Sequence, residues 1–306
     1  MKILVTGDKG FVGSETRKLL EQNGHEVIGY DIMDGKDIRD YYHFSEVVNE
    51  YKPDRILHLA AIARFAEADK DPKLAFETNV EGTRNVARVA KLHTIPVVYS
   101  STGSVYMPIK REPPITEEFE AYGNSVYGCT KYMGETYIRE NNPYIILRYA
   151  HLLGADKRFH GLIGGFLDRI NRGLAPTLYN GKQSNDFTYI NDVAQANLLA
   201  LTAPWDVWNN VFNIGTGEEL TAEEAGNIVC EVFDYKGEID KRPGREVDPL
   251  RFVYNINKAK ALLGYKPKYN FRESLLDMKR VMAQNKRDDK ATTERVSSTM
   301  EGKESS

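Results

Sequence analysis

KILVTGDKGFVGS, residues 2–14, decides how the rest of the chain is read. An apolar run, Lys2–Thr6, meets a turn containing Gly7, Gly10 and Gly13, with Phe11 and Val12 between the last two, and a helix-like segment follows. Glycines at such a strand-to-helix turn allow a tight bend, close backbone approach to a pyrophosphate and close helix packing. The helix N-terminus adds N–H groups directed at the phosphates. A second apolar run, HEVIGYD, ends in Asp31, eighteen residues after Gly13, where a carboxylate can accept from both ribose hydroxyls of a dinucleotide. A 2′-phosphate would meet like charge there, and no Lys or Arg within Ile32–Gly35 offsets it. The expected cofactor is therefore NAD rather than NADP.

Further runs at Arg55–Leu59, Pro96–Ser101 and Tyr144–Tyr149 alternate with helix-like stretches. This rhythm predicts βαβ units, and the few polar interruptions fit strands covered on both faces. The expected fold is α/β, a Rossmann-type doubly wound parallel sheet with a smaller C-terminal substrate-binding lobe. Residues 1–150 form the expected NAD-binding core. Residues 151–284, punctuated by Gly164-Gly165, Asn180-Gly181 and Pro243-Gly244, form the expected substrate lobe, interleaved with late sheet elements. Residues 285–306 are nearly devoid of large apolar side chains and are expected to be a disordered tail.

Composition narrows the function. In 306 residues, 41 Lys and Arg nearly balance 44 Asp and Glu, so no global field draws the chain to nucleic acid or an anionic membrane. Cys129 and Cys230 stand far apart in no metal-ligand spacing, and no metal site is expected. The start lacks the apolar core of a signal peptide, and no stretch approaches the roughly 20 apolar residues of a membrane helix. A cytoplasmic enzyme is the expectation.

A Tyr-x-x-x-Lys pair on a helix places an ammonium near a phenol, where it can lower the phenol's pKa from about 10 and make it a proton-transfer group. The spacing occurs three times, at Tyr106/Lys110, Tyr127/Lys131 and Tyr254/Lys258. Pro108 argues against a helix joining the first pair, and the third has no strand-end hydroxyl shortly before it. Tyr127/Lys131 opens the helix-like run YGCTKYMGETYIRE, about twenty-five residues after PVVYSST brings Ser100, Ser101 and Thr102 to the end of a buried strand. Ligands of doubly wound folds bind at that edge.

The GxxGxxG spacing, HLAA at His58–Ala61, NVEGT at Asn79–Thr83, YGCTK at Tyr127–Lys131 and LRYAHLLG at Leu147–Gly154 together resemble the extended short-chain dehydrogenase/reductase family. The likeness is to its NAD-dependent epimerase/dehydratase branch, in the 4-epimerase-like form. The resemblance implies that Asp37 and Ile38 contact adenine, that Leu59, Ala60, Ala61, Asn79 and Ser100 lie along the cofactor, and that Tyr149 lies near the nicotinamide. It further implies that Thr102 polarises the sugar oxygen, Tyr127 carries the proton, and Lys131 activates the phenol and binds ribose. A homodimer built on two helices per subunit is implied as well.

The same resemblance separates reactions. Sugar dehydratases place Asp-Glu after the catalytic Thr; Gly103 and Ser104 stand here, which speaks against dehydration. The bifunctional 3,5-epimerase/4-reductases carry a Cys at the position of Ser104 and a later His. His160 matches that His, or is a surface-loop histidine, but the Cys is absent. What remains is hydride transfer with one proton relay. The expected activity is a nucleotide-sugar 4-epimerase. The alternatives are a C4 dehydrogenase or 4-ketosugar reductase, and a non-catalytic NAD sensor. On the substrate side, Arg64, Ser104, His151, His160, Asn185 and Arg242 are the candidates. Asn185 replaces the Arg that commonly grips a nucleotide diphosphate, His151 replaces an Asn, and Arg242, Lys157 and Arg158 are the charges that could compensate.

Overall fold

The computed structural model describes residues 1–106, 112–123, 125–140, 143–156, 161–244 and 251–301. Five strands fall where the apolar runs predict them: β1 (Lys2–Thr6), β2 (Glu26–Tyr30), β3 (Arg55–His58), β4 (Val97–Thr102) and β5 (Tyr144–Tyr149). A sixth, Asn210–Ile214, joins them after a long excursion, and all pair in parallel. Its two asparagines, Asn210 and Asn213, interrupt the apolar pattern and hide it in the sequence. Across the sheet the order runs Asn210–Ile214, β5, β4, β3, β1, β2.

Successive residues of each strand face opposite layers. Ile3 and Val5 join Leu57, Val98 and Leu147 on one side, while Leu4 joins Ile56, Val97 and Ile146 on the other. Both faces are thus covered, as the uninterrupted apolar runs require. Helix α1 (Phe11–Gln22) follows the glycine turn. Helix α2 (Tyr41–Tyr51) is capped by Asp40, whose carboxylate accepts from the His43 N–H at 3.0 Å. The chain leaves β1 for β2 on one side and returns to β3 on the other. The crevice above the carboxyl ends of β1 and β3 is therefore the place where doubly wound sheets bind ligands.

A third core, including Leu153, Phe166, Leu178, Phe187, Val229, Phe271 and Met278, organises the residues beyond 150. Three two-stranded pieces accompany it: His151–Leu153 with Phe187–Tyr189, Ser184–Asn185 with Leu220–Thr221, and Thr177–Tyr179 with Asp240–Arg242. Buried Asp192 accepts from the Lys268 and Tyr269 N–H groups at 2.8 and 3.3 Å, bracing the approach to the final helix, Phe271–Glu301. The segment from 285, where the composition suggests disorder, is a continuation of that helix as far as Glu301. Its Lys, Arg, Glu and Ala are good helix formers, and neither Gly nor Pro interrupts them before Gly302. Among the described residues no helix is long and apolar enough to cross a membrane, and no cluster of His, Cys, Asp and Glu could hold a metal.

Candidate active site

The loops after β1 and β3 touch at the crevice. Gly7 has φ of +71°, and a Cβ there would stand 2.8 Å from the Ala60 nitrogen. The Thr6 hydroxyl oxygen accepts from the Leu59 and Ala60 N–H groups, both at 3.2 Å, and meets His58 Nδ1 at 2.7 Å. His58 Nε2 in turn meets the Thr83 hydroxyl at 2.9 Å. Burial, then the charge of Lys131, holds His58 well below its ordinary pKa, so this link is a neutral one. Deeper in the turn, a Cβ at Gly13 would lie 2.0 Å from the Gly7 carbonyl oxygen. Asp8 packs its carboxylate against Gly29 and receives a 2.6 Å bond from Arg17.

Asp31 is buried at the end of β2 and accepts from the Met33 N–H at 2.9 Å and the Lys9 N–H at 3.0 Å. Each oxygen has used one acceptor position and retains another for a ribose hydroxyl. The Lys9 ammonium is held by Asp34. Asp37 is clasped by Arg39 at 2.6 Å, which holds its carboxyl below the usual range. Ile38 is buried where Gly82 leaves it room. A side-chain-free cradle and an acceptor carboxylate at this spacing fit a dinucleotide without a 2′-phosphate. Asp31→Ala is expected to weaken NAD binding by about tenfold or more, the consequence of losing two hydrogen bonds to a charged group. Isothermal titration calorimetry on the variant measures this.

The parallel register sets Thr102 opposite Tyr149 and Ser101 opposite Arg148. Helix Val126–Glu140 carries Tyr127 and Lys131 one turn apart. The Thr102 hydroxyl lies close enough to the Tyr127 phenol to favour its ionised form. Lys131 is 2 % exposed, with Nζ 4.1 Å from the centre of the Tyr99 ring. Burial pushes Lys131 down to about 7, against the opposing pull of Glu135. The expectation that Lys131 lowers the phenol's pKa is not what the structure shows. Burial raises Tyr127 to about 12, and the group working against burial is Thr102.

Buried Asn79 sits in a π-helical turn, Glu77–Gly82. Its amide donates to the Ile62 carbonyl at 3.0 Å and to the Thr130 hydroxyl at 3.0 Å, and its oxygen accepts from the Ile62 N–H at 2.8 Å. This ties the loop after β3, with Leu59, Ala60 and Ala61, to the Tyr127 helix. Ser100 donates to the His58 carbonyl at 3.1 Å. The Tyr149 phenol donates to Asn197 at 2.6 Å, so its ring is fixed rather than poised for proton transfer.

The substrate-side candidates are less closely gathered. The Ser104 N–H donates to the Thr102 hydroxyl at 3.2 Å. Gly103 explains the absence of a dehydratase acid at this position: the space a Cβ would need is filled by the Phe252 ring, 2.3 Å away. Arg64 begins a short helix and pairs with Glu67 on the surface. His151 is exposed, its ring 5.6 Å from Phe252 and 6.1 Å from Phe187. Asn185 lies in the small antiparallel pair, and Arg242 is exposed and bound to Asp240 at 2.7 Å. Lys157, Arg158 and His160 lie outside the described residues.

Three participants stand outside the catalytic roles assigned from the sequence, although Phe65, following HLAA beside Arg64, is a weak pointer to the sugar side. Phe65 sets its ring against Tyr127 at 5.4 Å. Buried Asp186 gathers the N–H groups of Thr216, Gly217 and Tyr254 at 2.8, 3.0 and 3.4 Å, joining the end of the sixth strand to the segment that carries Phe252. Glu135, buried one turn beyond Lys131, bonds Ser101 and Arg148. Glu135 had a legible signal in its place at the third step of the Tyr127 and Lys131 helix face, and Phe65 in its place after HLAA; Asp186 had none.

The family model described as "NAD dependent epimerase/dehydratase family" matches residues 3–215. A protein of Methanocaldococcus jannaschii, provisionally named UDP-glucose 4-epimerase, is 31 % identical across 93 % of this chain and 99 % of its own. UDP-glucuronic acid decarboxylase 2 of Arabidopsis thaliana is 31 % identical across 90 % of this chain and 66 % of its own. The crystal structure of a UDP-glucose 4-epimerase from Thermotoga maritima, solved with UDP-glucose, superposes with a TM-score of 0.85. It is 29 % identical and covers 93 % of this chain and 99 % of that one.

Proposed function

Because the chain belongs to the NAD dependent epimerase/dehydratase family, whose members are NAD-dependent sugar-modifying enzymes, we propose that it inverts C4 of a nucleotide-linked sugar through a transient 4-keto sugar. The observation that carries this reading is the convergence of Thr102 with Tyr127 and Lys131 at the end of β4, beside a Gly103 whose side is filled by Phe252. Among the described residues, the site offers one proton relay and no second acid for loss of water.

NAD would be held by the glycine turn, Asp31 and Lys131, and would supply a hydride acceptor and donor for the sugar carbon. Thr102 orients the C4 oxygen. Tyr127, as phenolate, would take the proton of the C4 hydroxyl as C4 is oxidised and return it to the oxygen when the rotated ketosugar is reduced. Lys131 would hold the ribose hydroxyls and keep its ammonium within one helical turn of the phenol. Atoms and electrons balance over the cycle, so no oxidant is consumed. His151 and Asn185 would meet the nucleotide portion as neutral hydrogen-bonding groups. This favours recognition of a diphosphate by hydrogen bonds rather than by an arginine fork. The homodimer belongs to the same reading, through the neighbouring helices Thr83–Leu92 and Val126–Glu140.

A panel of UDP-, GDP-, CDP- and dTDP-sugars, with UDP-glucuronate included because a decarboxylase is among the relatives, tests the proposal. Isomerised sugar without net NADH is expected. Stoichiometric NADH would instead establish a dehydrogenase, and loss of carbon dioxide a decarboxylase. No turnover of any member would remove the nucleotide sugar from the reading.

A further inference from the structure

Tyr127, Lys131 and Glu135 fall at successive four-residue steps of one helix, so their side chains line one face. Glu135 is fully buried, which for a carboxylate demands partners. One oxygen accepts from the Ser101 hydroxyl at 2.6 Å and from Arg148 Nε at 2.9 Å. The other accepts from the second arm of Arg148 at 2.6 Å and from Arg139 at 3.3 Å. Ser101 immediately precedes Thr102 on β4, and Arg148 immediately precedes Tyr149 on β5. A single carboxylate thus joins the helix of the proton-transfer pair to the two strand ends that carry the groups facing it.

We propose that Glu135 is a positioning residue for the reaction: its carboxylate fixes the separation between the Thr102 hydroxyl and the Tyr127 phenol and supplies the counter-charge for Lys131. The inference rests on the reading of Tyr127 and Lys131 as the proton-handling pair.

Around the Lys131 ammonium stand Tyr99 from β4, neutral His58 from β3 and Glu135 from its own helix, with Tyr127 one turn before it in the same helix. Arg148 lies behind Glu135, its guanidinium also 4.7 Å from the Tyr106 ring, and Arg139 reaches the same carboxylate from the rim. Glu135 is the anion of this set. Removing its charge lowers the Lys131 pKa, so the ammonium is lost at a lower pH and turnover fails earlier as the pH rises. Removing only the Ser101 bond leaves the charges in place and loosens the strand end that holds Thr102.

Two variants, assayed as full chains with NAD bound and with the sugar that the panel shows to turn over, separate these effects. Ser101→Ala is expected to lower kcat roughly tenfold, the scale of a sub-ångström misplacement, with KM, NAD affinity and the pH profile unchanged. Glu135→Gln is expected to move the alkaline limb of the kcat profile to lower pH. Should Glu135→Gln fail to fold, leaving Arg148 without its counter-charge, Ser101→Ala alone decides. Wild-type kcat in Ser101→Ala, or an unmoved pH profile in a folded Glu135→Gln that has merely lost thermal stability, would overturn the proposal. Tyr127→Phe, run beside them, keeps the two readings apart. If it stays active, the assignment of the pair is at fault; if it is inactive while the other two behave as wild type, only the role of Glu135 is.

Discussion

Tyr127→Phe is expected to lower kcat by about 10²–10⁴-fold, the range associated with loss of a general acid–base group, while NAD affinity is unchanged. The substitution deletes one oxygen and leaves the ring against Phe65 at 5.4 Å, so the helix and its packing persist. What disappears is the group that takes the C4 hydroxyl proton. Thr102 cannot replace it, since an alkyl hydroxyl is far weaker as an acid, and Lys131 points its ammonium at the Tyr99 ring. The measurement is steady-state turnover of the sugar found by the panel, with NAD binding followed by calorimetry on the same preparation. Activity within a few-fold of wild type would mean that another residue moves the proton.

Gly13→Val is expected to abolish measurable NAD binding and to destabilise the chain by about 3 kcal/mol or more, the upper range of overpacking. The Cβ at this position would stand 2.0 Å from the Gly7 carbonyl oxygen and 2.7 and 2.9 Å from the Asp8 backbone. These are main-chain atoms and cannot rotate away as a side-chain tip would. The turn must open, and with it the contact of Gly7 with Ala60 on which the crevice depends. Differential scanning calorimetry should show a melting temperature lower by roughly 5–10 °C. A variant that melts as wild type and still binds NAD would show that the turn is not the cofactor cradle.

Much of this architecture could be read beforehand because it is written in local sequence. The strand ending in three glycines, the carboxylate at Asp31 and the ordered spacing from Thr102 to Lys131 each depend on neighbours along the chain. The strand Asn210–Ile214 was hidden because Asn213 is buried by long-range partners: its amide donates to the Ile115 carbonyl and its oxygen accepts from the Tyr106 phenol. The same holds for Asp186, whose partners lie about 30 to 70 residues away. The pKa of Tyr127 went the other way from the expectation because helical spacing reports which groups are near, whereas burial depends on everything packed around them. The nucleotide side was the least legible. Asn185 and His151 depart from the family pattern, and the rings set beside His151, Phe187 and Phe252, come from distant parts of the chain.

The most direct test of C4 inversion uses the nucleotide sugar that the panel shows to turn over, carrying deuterium at C4, incubated with the purified protein and NAD, with the product resolved by NMR. Formation of the C4 epimer with the deuterium retained at C4, without accumulation of NADH, is the predicted result. Deuterium washed out to solvent, or a 4-keto product with one equivalent of NADH, would contradict it.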